Sequence, residues 1–167
     1  WYQPALKKIP AGEQIVTVCA LPLYHIFGFN TNMMLGMRMG GCNILIVNPR
    51  DLPAVFKDLK GQKIHSFPAV NTLFNAMAHH PDFGSVDWSG LVISVGGGMA
   101  VQSGTAKIWL EKTGCPIVEG YGLSEGASVQ TLNLPGAQRP GSCGRALPHA
   151  RVRVAADGEL EIAGSLF

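Results

Sequence analysis

The seven residues Glu119-Gly120-Tyr121-Gly122-Leu123-Ser124-Glu125 bring an aromatic ring, two glycines, a hydroxyl and a carboxylate into one short stretch. Those are the parts of a nucleotide site. Tyr121 could stack on a base, Ser124 could bond a phosphate oxygen, and Glu125 could hold Mg²⁺, because hard cations prefer carboxylate oxygen. A turn with a buried tyrosine and a solvated glutamate uses the same residue types, and on chemistry alone the two readings are even. Gly96-Gly97-Gly98 is a second candidate: without Cβ atoms a flat ligand can lie against the main chain, with helix N–H groups facing outward. A plain strand-to-helix turn needs no more than that, and neither GxGxxG nor GxxxxGK[ST] occurs. His25 sits among Tyr24, Ile26 and Phe27, a setting in which a packed, hydrogen-bonded histidine is commoner than a catalyst. His65, His79, His80 and His149 lack metal-ligand spacing. Arg139 and Arg145 flank glycines and could meet an anion or simply be solvated. Nothing in the chain reads as a Ser-His-Asp or Cys-His nucleophilic set.

These candidates need elements to position them. Residues 15–21 form an apolar, β-branched run closed by Pro22, which reads as a buried strand, and residues 29–39 are predicted to be helical up to the stop at Gly40-Gly41. Residues 43–47 read as a second strand. Asp51 is the predicted N-cap of an amphipathic helix carrying Leu52, Val55, Phe56 and Leu59 at helical spacing, with Pro53 in its first turn. Residues 64–68 are a short strand, residues 71–79 a helix, residues 91–95 a strand running into the glycines, residues 101–113 a helix, and residues 117–119 a strand leading into Gly120. Strands without polar alternation, separated by helices, predict an α/β fold: a mostly parallel sheet with helices on both faces. Ligands of such sheets bind beyond the carboxyl ends of the strands, where the candidate loops fall.

After residue 134 the character changes. Residues 135–150 are rich in proline and glycine and read as a connecting loop after an α/β unit over 1–134. Residues 151–154 and 159–162 alternate polar with apolar around Asp157-Gly158, the mark of a hairpin. This is the first antiparallel element expected, the start of a small β subdomain over 151–167.

The chain has 167 residues, enough for one domain at the usual ~150. Thirteen Lys and Arg against eleven Asp and Glu leave a net charge of +2, too little for a phosphate-tracking surface, so a nucleic-acid partner is not expected. Four scattered cysteines without a CxxC pair point to a reducing, cytoplasmic setting. No run reaches the ~18 apolar residues of a membrane span, and Trp1-Tyr2-Gln3-Pro4 lacks a signal pattern. The chain does not start with Met, and Gly164-Ser165-Leu166-Phe167 follows directly on a predicted strand, so both ends are expected to be cuts.

Taken in order, the loops resemble the adenylate-forming enzymes, and most the bacterial long-chain fatty acid–CoA ligases. Leu21-Pro22-Leu23-Tyr24-His25 is similar to the family's histidine loop. Asn48-Pro49-Arg50-Asp51 and Val70-Asn71-Thr72-Leu73-Phe74 are similar to the long-chain branch. Gly96-Gly97-Gly98-Met99 resembles the adenine-side turn, Glu119 to Glu125 the Tyr-Gly-x-Thr-Glu signature, and Gly158-Glu159-Leu160-Glu161-Ile162-Ala163-Gly164 the strand motif that follows. Essentially the whole chain is covered.

The resemblance implies that a fatty carboxylate attacks ATP to give acyl-adenylate and pyrophosphate, after which coenzyme A displaces AMP. By position it assigns His25, Ser124 and Glu125 to catalysis, with Glu125 holding Mg²⁺. It assigns Gly96, Gly97, Gly98, Glu119, Gly120, Tyr121, Gly122 and Ser124 to the nucleotide, and His25, Phe29, Val70, Asn71 and Gly98 to the acyl pocket. Ser124 replaces the commoner Thr and keeps the hydroxyl; Glu119 stands where many relatives have Gln. Missing are the upstream phosphate loop and the C-terminal domain with its lysine. The chain is therefore expected to be an inactive central fragment of a cytoplasmic parent, with peripheral membrane association left open. A fatty acyl–AMP ligase, an acyl-carrier synthetase and a non-catalytic binding module are the alternatives.

Overall fold

The computed structural model describes residues 3–148 and 150–164; Trp1, Tyr2, His149 and the segment 165–167, on which several terminal expectations rest, lie outside the described residues. Strands β1 (Val16–Cys19), β2 (Cys42–Leu45), β3 (Ser66–Ala69), β4 (Ile93–Gly96) and β5 (Ile117–Leu123) lie in the order β2-β1-β3-β4-β5, all parallel. The expected parallel α/β sheet is present. It is extended by β6 (Ser128–Leu132), antiparallel to β5, and by β7 (Arg145–Ala146), antiparallel to β6. A separate hairpin joins β8 (Ala150–Val154) to β9 (Leu160–Gly164).

Neighbouring residues of a strand face opposite ways, and Ile117 and Val118 of β5 enter different cores. Ile117 belongs to the larger one, with Phe67 of β3 and residues of the helices α4 (Leu52–Leu59), α5 (Asn71–His79) and α6 (Ser103–Thr113). Its centre is Trp109, fully buried against Phe74, Phe67 and Trp88, its indole N–H donating to Ser94 Oγ at 3.0 Å. Val118 joins the smaller core, with Ile93, Val95, Leu132, Ala5 of α1 (Gln3–Leu6), and Phe27 of α2 (Ile26–Gly28). Both faces of the sheet are thus covered.

Several boundaries differ from the sequence reading for identifiable reasons. The helix expected from residue 29 starts at α2, passes through a π-helical segment over Phe29–Met34, and finishes as α3 (Leu35–Met39). Its first turn is capped by the His25 ring, a cap outside the Ser/Thr/Asp/Asn set used to find helix starts. It ends at Gly40 in the left-handed region, φ 63°, as expected. Helix α6 starts at Ser103 rather than 101 because Gln102 is extended, with ψ of 139°, and serves as its N-cap. The first antiparallel pair is β5–β6, not the 151–162 hairpin: β5 continues four residues past 119 and supplies the edge on which β6 pairs.

Candidate active site

At the carboxyl end of β4 the chain turns through the three glycines and is pinned from two sides. The Val101 N–H donates to Glu119 Oε2 at 3.2 Å, and the Gln102 N–H donates to Asn71 Oδ1 at 2.9 Å. Helix N-termini leave such donors without internal partners, so a side chain from β5 and another from α5 complete this one and hold the glycine turn against both. The Phe27 ring lies so close over Gly97 that a Cβ there would come within 2.9 Å of it.

Across from this turn, β5 and β6 carry the tyrosine motif. A Cβ on Gly122 would fall 2.0 Å from the Ser128 carbonyl oxygen, so the strands can approach only because residue 122 is glycine. The register slips between Tyr121 and Gly122, leaving Gln130 as the extra residue of a β-bulge. Between the strands, Ser124–Gly126 forms a single 3-10 turn that exposes Ser124 and Glu125. Ala127 and Ser128 follow with φ of 54° and 99°, a region that costs a non-glycine residue about 1–3 kcal/mol. Gln130 is fully buried; its amide donates to the Gly126 carbonyl while its Oε1 has no partner among the described residues.

The third wall is the His25 helix. His25 Nδ1 accepts the Phe27 N–H at 3.2 Å, so the neutral ring carries its proton on Nε2, on an exposed side chain. The helix is tied to the sheet by Asn32, fully buried, which donates to the Val18 carbonyl at 3.0 Å.

Between these walls lies a cavity of about 190 Å³ bounded by His25–Phe27, the glycine turn, and residues 120–124 of β5 and its turn. A second, of about 460 Å³, opens toward Met99–Val101, Glu119 and the loop 141–143. Gly98, Gly120, Tyr121 and Gly122 belong to both, so the half-exposed Tyr121 stands between them. The folded chain thus gathers His25, Gly96, Gly97, Gly98, Gly120, Tyr121, Gly122 and Ser124 around one cavity and Glu119 on its neighbour. Val70 lies behind Gly98 and faces a third, apolar groove with Leu21 and Leu73. Asn71 is buried beneath the glycine turn as its anchor, and Phe29 is half-buried in the π-helical segment, away from all three linings.

Glu125 has no salt-bridge partner among the described residues, and those residues contain no group of three His, Cys, Asp or Glu able to cage a metal. Mg²⁺ is usually held by one or two carboxylates with phosphate oxygens and water. One exposed carboxylate beside a hydroxyl fits that pattern when a phosphate supplies further oxygens. The arrangement can stack a flat ring on Tyr121, bond an anion at Ser124 and place a carboxylate next to it.

Two residues went unnoticed in the sequence. Asn133, buried, donates to the carbonyls of Glu119 and Ser142 and accepts the Arg139 N–H at 3.0 Å, tying the loop of the second cavity to β5. Asn30 donates to the Ala127 carbonyl at 2.5 Å. No local pattern marks either one.

The profile of the AMP-binding enzymes matches residues 3–165. The chain is 40% identical over 97% of its length to a long-chain fatty acid–CoA ligase of Salmonella typhimurium and 41% identical over 93% to one of Yersinia pestis. It spans 28% and 27% of those proteins. Among solved structures, a benzoate CoA ligase from Burkholderia xenovorans superposes with a TM-score of 0.82 at 22% identity, over 99% of this chain and 36% of that one, a likeness of fold.

Proposed function

The chain belongs to the family of AMP-binding enzymes, and from that premise we propose that it forms the nucleotide- and acyl-facing core of a longer long-chain fatty acid–CoA ligase. One observation carries this reading: Tyr121 stands between two cavities, with the glycine turn beside it and His25 on the far wall of the smaller one. A ligand joining a flat base to an acyl group through a phosphate needs such a division.

In the proposed reaction a carboxylate oxygen of the fatty acid attacks the α-phosphorus of ATP. The bond from that phosphorus to the bridging oxygen breaks, and pyrophosphate leaves with the electron pair. The thiolate of coenzyme A then attacks the acyl carbon and AMP departs. Tyr121 stacks on adenine with the Gly96–Gly98 backbone opposite. Ser124 donates its hydroxyl hydrogen to a phosphate oxygen, which stabilises charge where it builds. His25, with its proton on Nε2, faces the carboxylate end of the substrate. Glu119 acts on the site through the Val101 N–H it already holds. Glu125 is the proposed Mg²⁺ ligand; when bound, the ion offsets the negative charge shared by phosphates and carboxylate. The acyl chain runs toward Val70, where each buried CH₂ adds about 0.8 kcal/mol. Four unpaired cysteines suit a reducing compartment, and the proposed location is the cytoplasm.

The test is ATP–pyrophosphate exchange by the longer protein with coenzyme A omitted, which isolates adenylation from the choice of thiol acceptor. Exchange stimulated by long-chain acids supports the reading. No exchange with any acid, from folded protein with Mg²⁺ present, overturns it.

A further inference from the structure

The turn over Ser124–Gly126 is followed by Ala127 and Ser128 in the left-handed region, a junction that persists only when its surroundings hold it. Within the β5–β6 hairpin, the Ala127 N–H donates to the Ser124 carbonyl at 3.1 Å and the buried Gln130 amide donates to the Gly126 carbonyl. Both move with the hairpin and cannot fix it relative to anything else. Among the described residues one hydrogen bond reaches residues 124–128 from outside the β5–β6 hairpin: Asn30 Nδ2 to the Ala127 carbonyl, at 2.5 Å across 97 residues of chain.

Asn30 is itself well anchored. It lies in the π-helical segment, one turn beyond the His25 cap and two residues before Asn32, whose side chain is bonded to the Val18 carbonyl of β1. The Asn32 carbonyl accepts from Asn43 Nδ2 at 3.2 Å, adding β2 to the same frame. A π-helical stretch interrupts the ordinary helical repeat, and such stretches recur at functional sites; here it lies in the helix that both His25 and Asn30 belong to. Asn30 lines neither cavity flanking Tyr121. Its contact is with the turn.

Resting on the adenylation function proposed above, we infer that Asn30 is a positioning residue for that step, clamping the Ser124–Glu125 turn to the His25 helix. The clamp sets the separation between the wall that meets the carboxylate and the turn that meets the phosphates. No bond changes at Asn30, and no proton moves through it. Its loss lets the turn relax away from the geometry in which carboxylate oxygen and α-phosphorus approach.

The measurement compares the wild-type longer protein with Asn30→Asp, Asn30→Leu and Asn30→His in acid-dependent ATP–pyrophosphate exchange. Asn30→Asp keeps the volume and sets an oxygen against the Ala127 carbonyl; Asn30→His returns an N–H donor at similar reach. We expect kcat to fall on the order of tenfold to a hundredfold in the first two variants, the cost of a small misplacement of reacting groups, with KM for ATP and acid little changed. Most of kcat should return in Asn30→His. Hydrogen exchange should quicken at the amides of residues 127–130 and stay as in wild type across β3 and β4. Unchanged kcat in Asn30→Asp overturns the inference, as does a KM rise that accounts for the whole loss, or unaltered exchange at the turn. A wild-type protein giving no exchange with any acid removes the proposed function, and this role with it. An active wild type with an unaffected Asn30→Asp removes the role alone.

Discussion

Glu125 presents an exposed carboxylate with no salt-bridge partner among the described residues, on a turn followed by two residues in the costly left-handed region. The Glu125→Gln change keeps the size and one acceptor oxygen but removes the charge, so it separates metal binding from folding. In the longer protein it should lower adenylation by on the order of a hundredfold or more, as expected when a group aimed at developing charge is lost. Far-UV circular dichroism and the melting temperature should match wild type; retained activity would remove Glu125 from the metal role. Glu119 teaches the converse lesson. Assigned to the nucleotide by resemblance, it faces the second cavity while one of its oxygens is occupied by the Val101 N–H, so its contribution to the site begins with the shape of the glycine turn.

At the scale of elements, helix α4 is set by its own sequence: Asp51 Oδ1 accepts the Ala54 N–H at 3.2 Å, and Pro53 lies in the first turn. Asp51→Ala should therefore cost about 1 kcal/mol of stability, read from the denaturant midpoint at unchanged slope. The joint between β1 and β3 adds side chains to a short backbone ladder. Thr17 pairs with Ser66 and the His65 N–H donates to the Val16 carbonyl at 2.9 Å, while the Val16 N–H donates to His65 Nδ1, and the buried ring then turns Nε2 toward Glu13 at 3.0 Å. Lys63 reaches the same carboxylate at 2.6 Å. The Lys63 hydrogen bond, with a further one from His65, holds the Glu13 carboxyl below the usual carboxylate range. A depressed folded value means the unfolded chain binds the proton more readily. The resulting stability is complete above the ordinary carboxylate pKa and is lost as pH falls through the folded one. Urea midpoints should decline over that acidic window, and Glu13→Gln should flatten the decline. A variant with the wild-type acid profile would place the sensitivity elsewhere.

For the whole molecule, affinity is the quantity the fold must supply. Stacking on one aromatic ring contributes about 1–3 kcal/mol, while even a millimolar complex needs about 4.1 kcal/mol. Tyr121 is the ring that both cavities share, with a few polar contacts around it. These 167 residues by themselves should bind ATP no tighter than the millimolar range and catalyse nothing measurable. Isothermal titration of the isolated chain checks this, and micromolar affinity would mean the phosphate contacts are already complete within it.

The sequence alone determined what short-range chemistry controls. Apolar runs alternating with amphipathic segments specified a parallel α/β sheet. Asp51 and Gly40 marked helix ends, and the glycine turn and tyrosine motif fell where loops of such a sheet meet ligands. Each depends on neighbours within a turn or a strand. The tertiary structure alone decided which loops face one another and what pins them. Glu119 reaches Val101 over 18 residues, Asn71 reaches Gln102 over 31, and Asn30 reaches Ala127 over 97. An asparagine side chain has the same donors and acceptor wherever it lies, and nothing in its identity names its partner. The partner is chosen when the sheet closes and brings distant backbone groups within 3 Å or so, which is also why the antiparallel β5–β6 pair escaped a reading based on period alone.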